Sequence, residues 1–261
     1  MARWKAFPHD GEAYHYDLAT LKKKWPRLHA GDAETIPADE AVLAAWQLFH
    51  AGEFQKATEA GLKAHGAGHA GGMTVANKAQ AIYATYLEDS ERNKLALLLE
   101  VAERAERRAN EAPEEANAWY CNAYALGRYS QGISVAKALA QGLGGRVKNA
   151  LERTIRLAPK HADAHIALGT YHAEIIDKVG SLLGRTQGAS KDAGLAHYKT
   201  ALKLNPTSAI AMVEYANGLV MLEGDKRMKE ATKLYEDAAK VEPQDAMERL
   251  DVEMAKAELE D

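Results

Sequence analysis

From Ala38 onward, apolar positions recur at the spacing of a helix rather than a strand. Val42, Ala45, Trp46 and Phe49 stand at i, i+3, i+4 and i+7 and mark the buried face of a first helix. Gly52-Glu53-Phe54 makes a turn. Ala57, Ala60, Gly61 and Ala64 follow on a second helix, small enough for two helices to approach closely. The glycine-rich stretch His65–Gly72 reads as a flexible break. Residues 73–112 repeat the pattern: Ala79, Ile82, Tyr83 and Tyr86 on one helix, then Leu98, Val101, Ala102 and Ala105 within Leu95–Ala109. Glu100, Glu103, Arg104, Glu106, Arg107 and Arg108 form a solvated face on that helix, with i,i+4 pairs Glu100–Arg104 and Glu103–Arg107. Before Ala38 the chain is polar and aromatic, with Tyr14, Tyr16 and Trp25. A short helix from Asp17 to Trp25 is expected there, stopped by Pro26, and residues 1–37 are read as an N-terminal arm or cap.

Beyond residue 112 prolines punctuate the pattern. Pro113, Pro159, Pro206 and Pro243 lie 46, 47 and 37 residues apart. Helix pairs are expected over 38–66, 73–112, 114–158, 161–205 and 208–242, followed by a capping helix over 244–261 with Met247, Leu250 and Met254 on its apolar side. Two units are longer than the others. The first carries Ile133, Ala136, Ala140 and Leu143 at helical spacing. The second carries Ile175, Ile176, Val179, Leu182 and Leu183. Each insert is expected to prolong the first helix of its pair and then loop back, with the two apolar faces burying one another.

The residues that carry a resemblance lie chiefly over 116–243, with a fair match over 38–112. Leu168-Gly169 sets a large apolar residue beside a small one. Tyr198, Ala201 and Pro206 close the unit, as Ala231, Tyr235, Ala238 and Pro243 close the next, and Trp119 opens an earlier one. This grammar resembles the tetratricopeptide repeat, whose reference unit is about 34 residues, so two of the units here exceed it by about 12–13. The long units are also similar to those of the regulator of microtubule dynamics family and of tetratricopeptide subunits that accompany some bacterial TRAP transporters. Asn122, Leu151 and Glu214 depart from the expected residue types.

The resemblance implies an all-α fold, an α-α superhelix, and a non-catalytic scaffold that binds a protein or peptide along a concave groove. By the family's facing rule that groove shows Asn117, Tyr120, Tyr124 and Arg128, then Asp163, Ile166, Thr170 and Glu174, then Val213, Asn217 and Val220. Members that clamp a chaperone's C-terminal carboxylate use lysine, asparagine and arginine there. Here those slots read Tyr120, Tyr124, Ile166, Thr170 and Met221, and only Asn217 fits. The alternative is a carrier of a small molecule or lipid, with a pocket between the inserts. Arrays of this kind often expose apolar ends, so self-association is also expected.

Composition narrows the classes. The 261 residues carry a net charge of −4, and no acidic residue occurs between Glu115 and Glu152. Lys137 and Arg146 in that stretch, with Lys178 and Arg185 that the second insert adds against Asp177, are read as a basic ridge, too sparse for nucleic acid. Cys121 is the single cysteine, no run is long enough to span a membrane, and the first residues lack the apolar core of a leader. The expected compartment is the cytoplasm, or the periplasm if a leader has been removed. His65 and His69 sit in a glycine turn, and His161, His165 and His172 share a helix face. Interior packing accounts for them better than a metal, and no cofactor is expected. No serine elbow, phosphate loop or dinucleotide fingerprint occurs, so an enzyme is not expected.

Overall fold

The computed structural model describes residues 4–260, and all regular structure among them is helical. The helices are α1 (Leu18–Leu28), α2 (Glu40–His50), α3 (Phe54–Gly66), α4 (Gly72–Tyr86), α5 (Glu91–Glu111), α6 (Ala116–Gln131), α7 (Val135–Ala140), α8 (Leu143–Leu157), α9 (Ala162–Thr186), α10 (Lys191–Leu204), α11 (Ala209–Glu223), α12 (Met228–Ala238) and α13 (Ala246–Ala257). Contacts gather them into two compact units. The first holds the described residues up to His29, with Glu34–Ile133 and Gln244–Met247. The second holds Ala30–Ala33, Ser134–Pro243 and the residues from Glu248 on.

In the first unit, Asp17 caps α1 by accepting from the Thr20 amide at 2.7 Å. The helix then runs through Pro26 to Leu28, beyond the expected stop. Proline in a last turn forfeits one backbone hydrogen bond. Trp25 and Leu28 bury on either side of it, and the Trp25 indole donates to the Glu34 carbonyl at 2.9 Å, so packing carries the turn. Asp39 caps α2, and Gly52 at φ +83 reverses the chain into α3. The expected flexible break is a close crossing. A Cβ on Gly61 would stand 2.6 Å from the Gly72 carbonyl, and one on Gly72 would stand 2.4 Å from that of Gly61. His65 lies in the last turn of α3 rather than in a loop, and His69 pairs with Asp39 at 2.7 Å. Ser90 caps α5. Asn122 on α6 donates to the Ala102 carbonyl at 2.9 Å, which explains a polar residue in a helix-packing slot. Helices α2, α4 and α6 touch in succession.

The second unit is built on α9. It packs against α8, α10 and α11. The ring of Tyr198, on α10, lies between two glycines: a Cβ on Gly169 of α9 would come within 2.9 Å of it, and one on Gly218 of α11 within 2.4 Å. Tyr198 stacks on Tyr215 with centroids 5.3 Å apart. Val252 and Ala255 of α13 join Ala209, Val213 and Ala238 in a core cluster.

The inserts differ from expectation. The first does not prolong α6, which stops at Gln131; it makes a separate six-residue helix, α7, capped by Ser134 and burying no side chain. The second does prolong α9, but Gly180 (φ +77, ψ 160) kinks it. Past the kink Gly184 folds back against Ile176, so Leu182 and Leu183 are 78% and 60% exposed instead of buried. Leu143, Val147, Ala150 and Leu151 of α8 supply the apolar face that does bury, and Leu151 is core.

Candidate functional site

The eleven residues expected to line a groove divide between the units, four in the first and seven in the second. On α6 the spacing of four sets Tyr120, Tyr124 and Arg128 in one row. Their rings and guanidinium touch in sequence. The tyrosine centroids lie 6.1 Å apart, and the Arg128 guanidinium sits 5.5 Å over the Tyr124 ring. Tyr124 donates to the Thr85 hydroxyl on α4 at 3.1 Å, which fixes its ring. All three remain half-buried. Asn117, one turn earlier, is buried and donates to the Glu34 carboxylate at 2.6 Å. It belongs to the interior.

On α9, the amide of Asp163 donates to the Gly31 carbonyl at 3.0 Å, and its carboxylate lies against that glycine. Ile166 is not displayed; it packs with Ala201 and Ala211. Val213 is likewise core. Both misplacements have one cause: a third helix covers a face that the family's facing rule leaves open. Thr170 accepts from Tyr198 at 3.1 Å and donates to Glu214 at 3.0 Å. Glu214 is thus the acceptor at the end of a buried hydroxyl chain, which explains a carboxylate in a core slot. Burial raises the Tyr198 phenol strongly, the Glu214 charge adding to it. Glu174 accepts from Lys178 at 3.1 Å. Asn217 accepts from the hydroxyl of Tyr235 on α12, whose pKa burial pushes up to about 12.

Lys137, Arg146, Lys178 and Arg185 are all exposed. They share the second unit with Val135, Leu139, Leu182 and Leu183, exposed apolar residues of the two inserts.

Sequence reasoning missed two clusters. His197 on α10 completes a set with His165 and His172. The Nδ1 atoms of His165 and His197 lie 2.9 Å apart, and the His172 ring stacks on His197 at 5.8 Å. Desolvation first, and then the two neighbouring imidazoles, push His197 down to about 4. His161, by contrast, is a helix cap that accepts from the Ala164 amide at 3.1 Å. Among the described residues no three His, Cys, Asp or Glu side chains converge as a metal would require.

The second missed feature is a cleft of about 550 Å³ in the first unit, walled by α3 and α5 and floored by α4. Arg104, expected on a solvated face, is buried at its base. It donates to Asn77 at 3.0 Å and Gln80 at 2.8 Å, and burial lowers its pKa. The one signal in the sequence is position: Arg104 falls three residues after Val101 and one before Ala105, on the edge of the apolar stripe.

No family model matches the chain, and no curated protein does. Solved structures similar to it include two TPR proteins. One is TTC0263, a thermophilic TPR protein in Thermus thermophilus, at 17% identity and a TM-score of 0.59, covering 84% of this chain and 98% of its own. The other is YrrB, a TPR protein with an unusual peptide-binding site, at 14% identity and a TM-score of 0.42, covering 94% of this chain and 99% of its own. No helix among the described residues is long and apolar enough to cross a membrane. With paired helices meeting across glycine and alanine, and with TTC0263 superposing over most of its length, the chain has the tetratricopeptide-repeat fold.

Proposed function

We propose that the protein is a non-catalytic scaffold that holds a protein or peptide along the first helices of its hairpins. The observation that carries this reading is the Tyr120–Tyr124–Arg128 row. Three large side chains are fixed in mutual contact and by Thr85, yet are left half-covered. Ordered tyrosine and arginine present contact area at low entropic cost, and such residues dominate interface energies. Asn117, Thr170 and Asn217 are engaged within the fold, so they contribute support rather than contact.

Affinity capture with the immobilised protein, repeated with Tyr124→Ala and Arg128→Glu, tests the proposal. Each substitution is expected to weaken the captured partner by about 2 kcal/mol, roughly thirtyfold. Undiminished recovery by both variants overturns it. The carrier reading has less support, because Leu182 and Leu183 face solvent and α7 buries nothing.

A further inference from the structure

The cleft between α3 and α5 already holds a ligand-like segment of this chain. Residues 4–10 belong to no helix, and the first two of them, Trp4 and Lys5, line the cleft. Trp4 stacks flat on Tyr83 of α4, with centroids 4.2 Å apart and planes 13° from parallel. Lys5 pairs with Asp89 through both carboxylate oxygens, at 2.6 and 2.9 Å. Phe7 rests edge-on against Phe54 at 6.5 Å and fills the place a Cβ on Gly52 would take.

The backbone is held as well as the side chains. The Trp4 amide donates to Gln55 Oε1 at 3.0 Å, and the Lys5 amide to the Tyr83 hydroxyl at 3.3 Å. Each acceptor is itself oriented by a carboxylate. Gln55 donates to Glu59 at 3.1 Å, and Tyr83 to Glu88 at 3.1 Å. A site with one acceptor on α3 and one on α4, both pre-aimed at successive amides, is organised to read an extended peptide. Glu59, Glu88, Asp89 and Glu100 make the lining acidic against Lys5 and Arg104. The ion pair is the weak part of this anchoring: Lys5 is 58% and Asp89 79% exposed, and such a pair contributes little to stability. The cleft continues past Trp4 to Arg104.

We propose that this cleft is a peptide-binding site for an extended segment bearing an aromatic residue followed by a lysine or arginine, and that Trp4-Lys5 is its built-in competitor. The occupant is a segment of another protein with that chemistry. It enters when the tethered strap leaves. This site lies on the α3/α5 side of the first unit and is independent of the α6 row, so either reading can fail alone.

The probe is a C-terminally fluorescein-labelled peptide, acetyl-Trp-Lys-Ala-Phe-Pro-His-Asp, titrated by fluorescence polarisation against full-length proteins. In the double variant Trp4→Ala/Lys5→Glu the strap is released. Binding is expected there, and about tenfold weaker to the unmodified chain, where a tethered competitor acts at roughly millimolar effective concentration. Adding Asp89→Lys, an exposed change that leaves the core untouched, is expected to weaken the peptide several-fold, as is replacing the peptide's lysine by glutamate. Equal affinity for the released variant and the unmodified chain overturns the proposal. So does an affinity indifferent to Asp89→Lys. Loss of helical circular dichroism in the released variant also overturns it, because the strap is then a structural member.

Discussion

The contact between Tyr198 and its two flanking glycines makes a quantitative demand. In Gly218→Ala the new methyl would stand 2.4 Å from ring atom Cε2 and 2.7 Å from the hydroxyl. The ring has little room to retreat. Gly169 bounds its other edge, Tyr215 is stacked against it, and its hydroxyl donates to Thr170. Overpacking of this kind costs about 1–3 kcal/mol, and displacement of the Tyr198–Thr170 hydrogen bond about 1 more. Against that, alanine favours a helix interior over glycine by about 1 kcal/mol. The clash wins, leaving a net loss of about 2 kcal/mol, or about 4–8 °C in Tm at this chain length.

A double-mutant cycle separates the terms. Tyr198→Leu removes the ring and by itself destabilises through the cavity it leaves. In that background Gly218→Ala meets no ring, and only the propensity gain remains, so the change turns stabilising by up to about 1 kcal/mol. Urea unfolding followed by far-ultraviolet circular dichroism on the four proteins reads both values. A Gly218→Ala chain as stable as the unmodified one, or one that loses the same amount with and without Tyr198, refutes the argument that this tyrosine enforces the glycine.

Gly61→Ala puts a Cβ 2.6 Å from backbone rather than from a side chain that can swing away, so α3 and α4 must separate; a loss of about 2–4 kcal/mol is expected in the same urea assay. The histidine set makes stability depend on pH. His197 faces His165 and His172, with Lys148 and Glu152 acting on the same cluster. Its folded pKa of about 4 lies below the ordinary 6.5, so the unfolded chain takes up its proton first, and stability present above pH 6.5 is lost as pH falls toward 4. A shift of that size is worth at most about 3 kcal/mol, and partial exposure reduces it to about 1–2. His197→Gln should flatten urea midpoints between pH 7 and 4.5; an unchanged slope counts against the cluster.

The helices are legible in the sequence because their apolar residues repeat every third or fourth position and their turns carry glycine or proline. That information is local. The expected stop at Pro26 fails because its cost, one hydrogen bond, is small beside the burial of Trp25 and Leu28, which no local rule weighs. Ile166 and Val213 fall in a groove by the facing rule that the resemblance implies, which says which face leaves the hairpin but not whether another helix covers it. Arg104 reads as a solvated residue because Glu100 stands four positions before it. The sequence does not reveal that Asn77 and Gln80, more than twenty residues earlier, supply acceptors in the interior. The strap cleft is out of reach for the same reason: Trp4 and Tyr83 meet only through the fold.

The three departures from the repeat pattern have unequal meanings. Leu151 is ordinary core on α8. Asn122 and Glu214 are polar residues in packing slots, and each is answered by a partner on a neighbouring helix: a carbonyl of α5 for one, a Tyr198–Thr170 hydroxyl chain for the other. A buried polar group satisfied in this way tolerates few registers, since sliding the helices strands it at a cost of about 1–3 kcal/mol. Apolar stripes at helical spacing are interchangeable between repeats, so they specify that helices pair but weakly specify which pair meets which. The polar departures add that information. They weaken the match to a consensus repeat for the same physical reason that they fix α6 on α5 and α9 on α11.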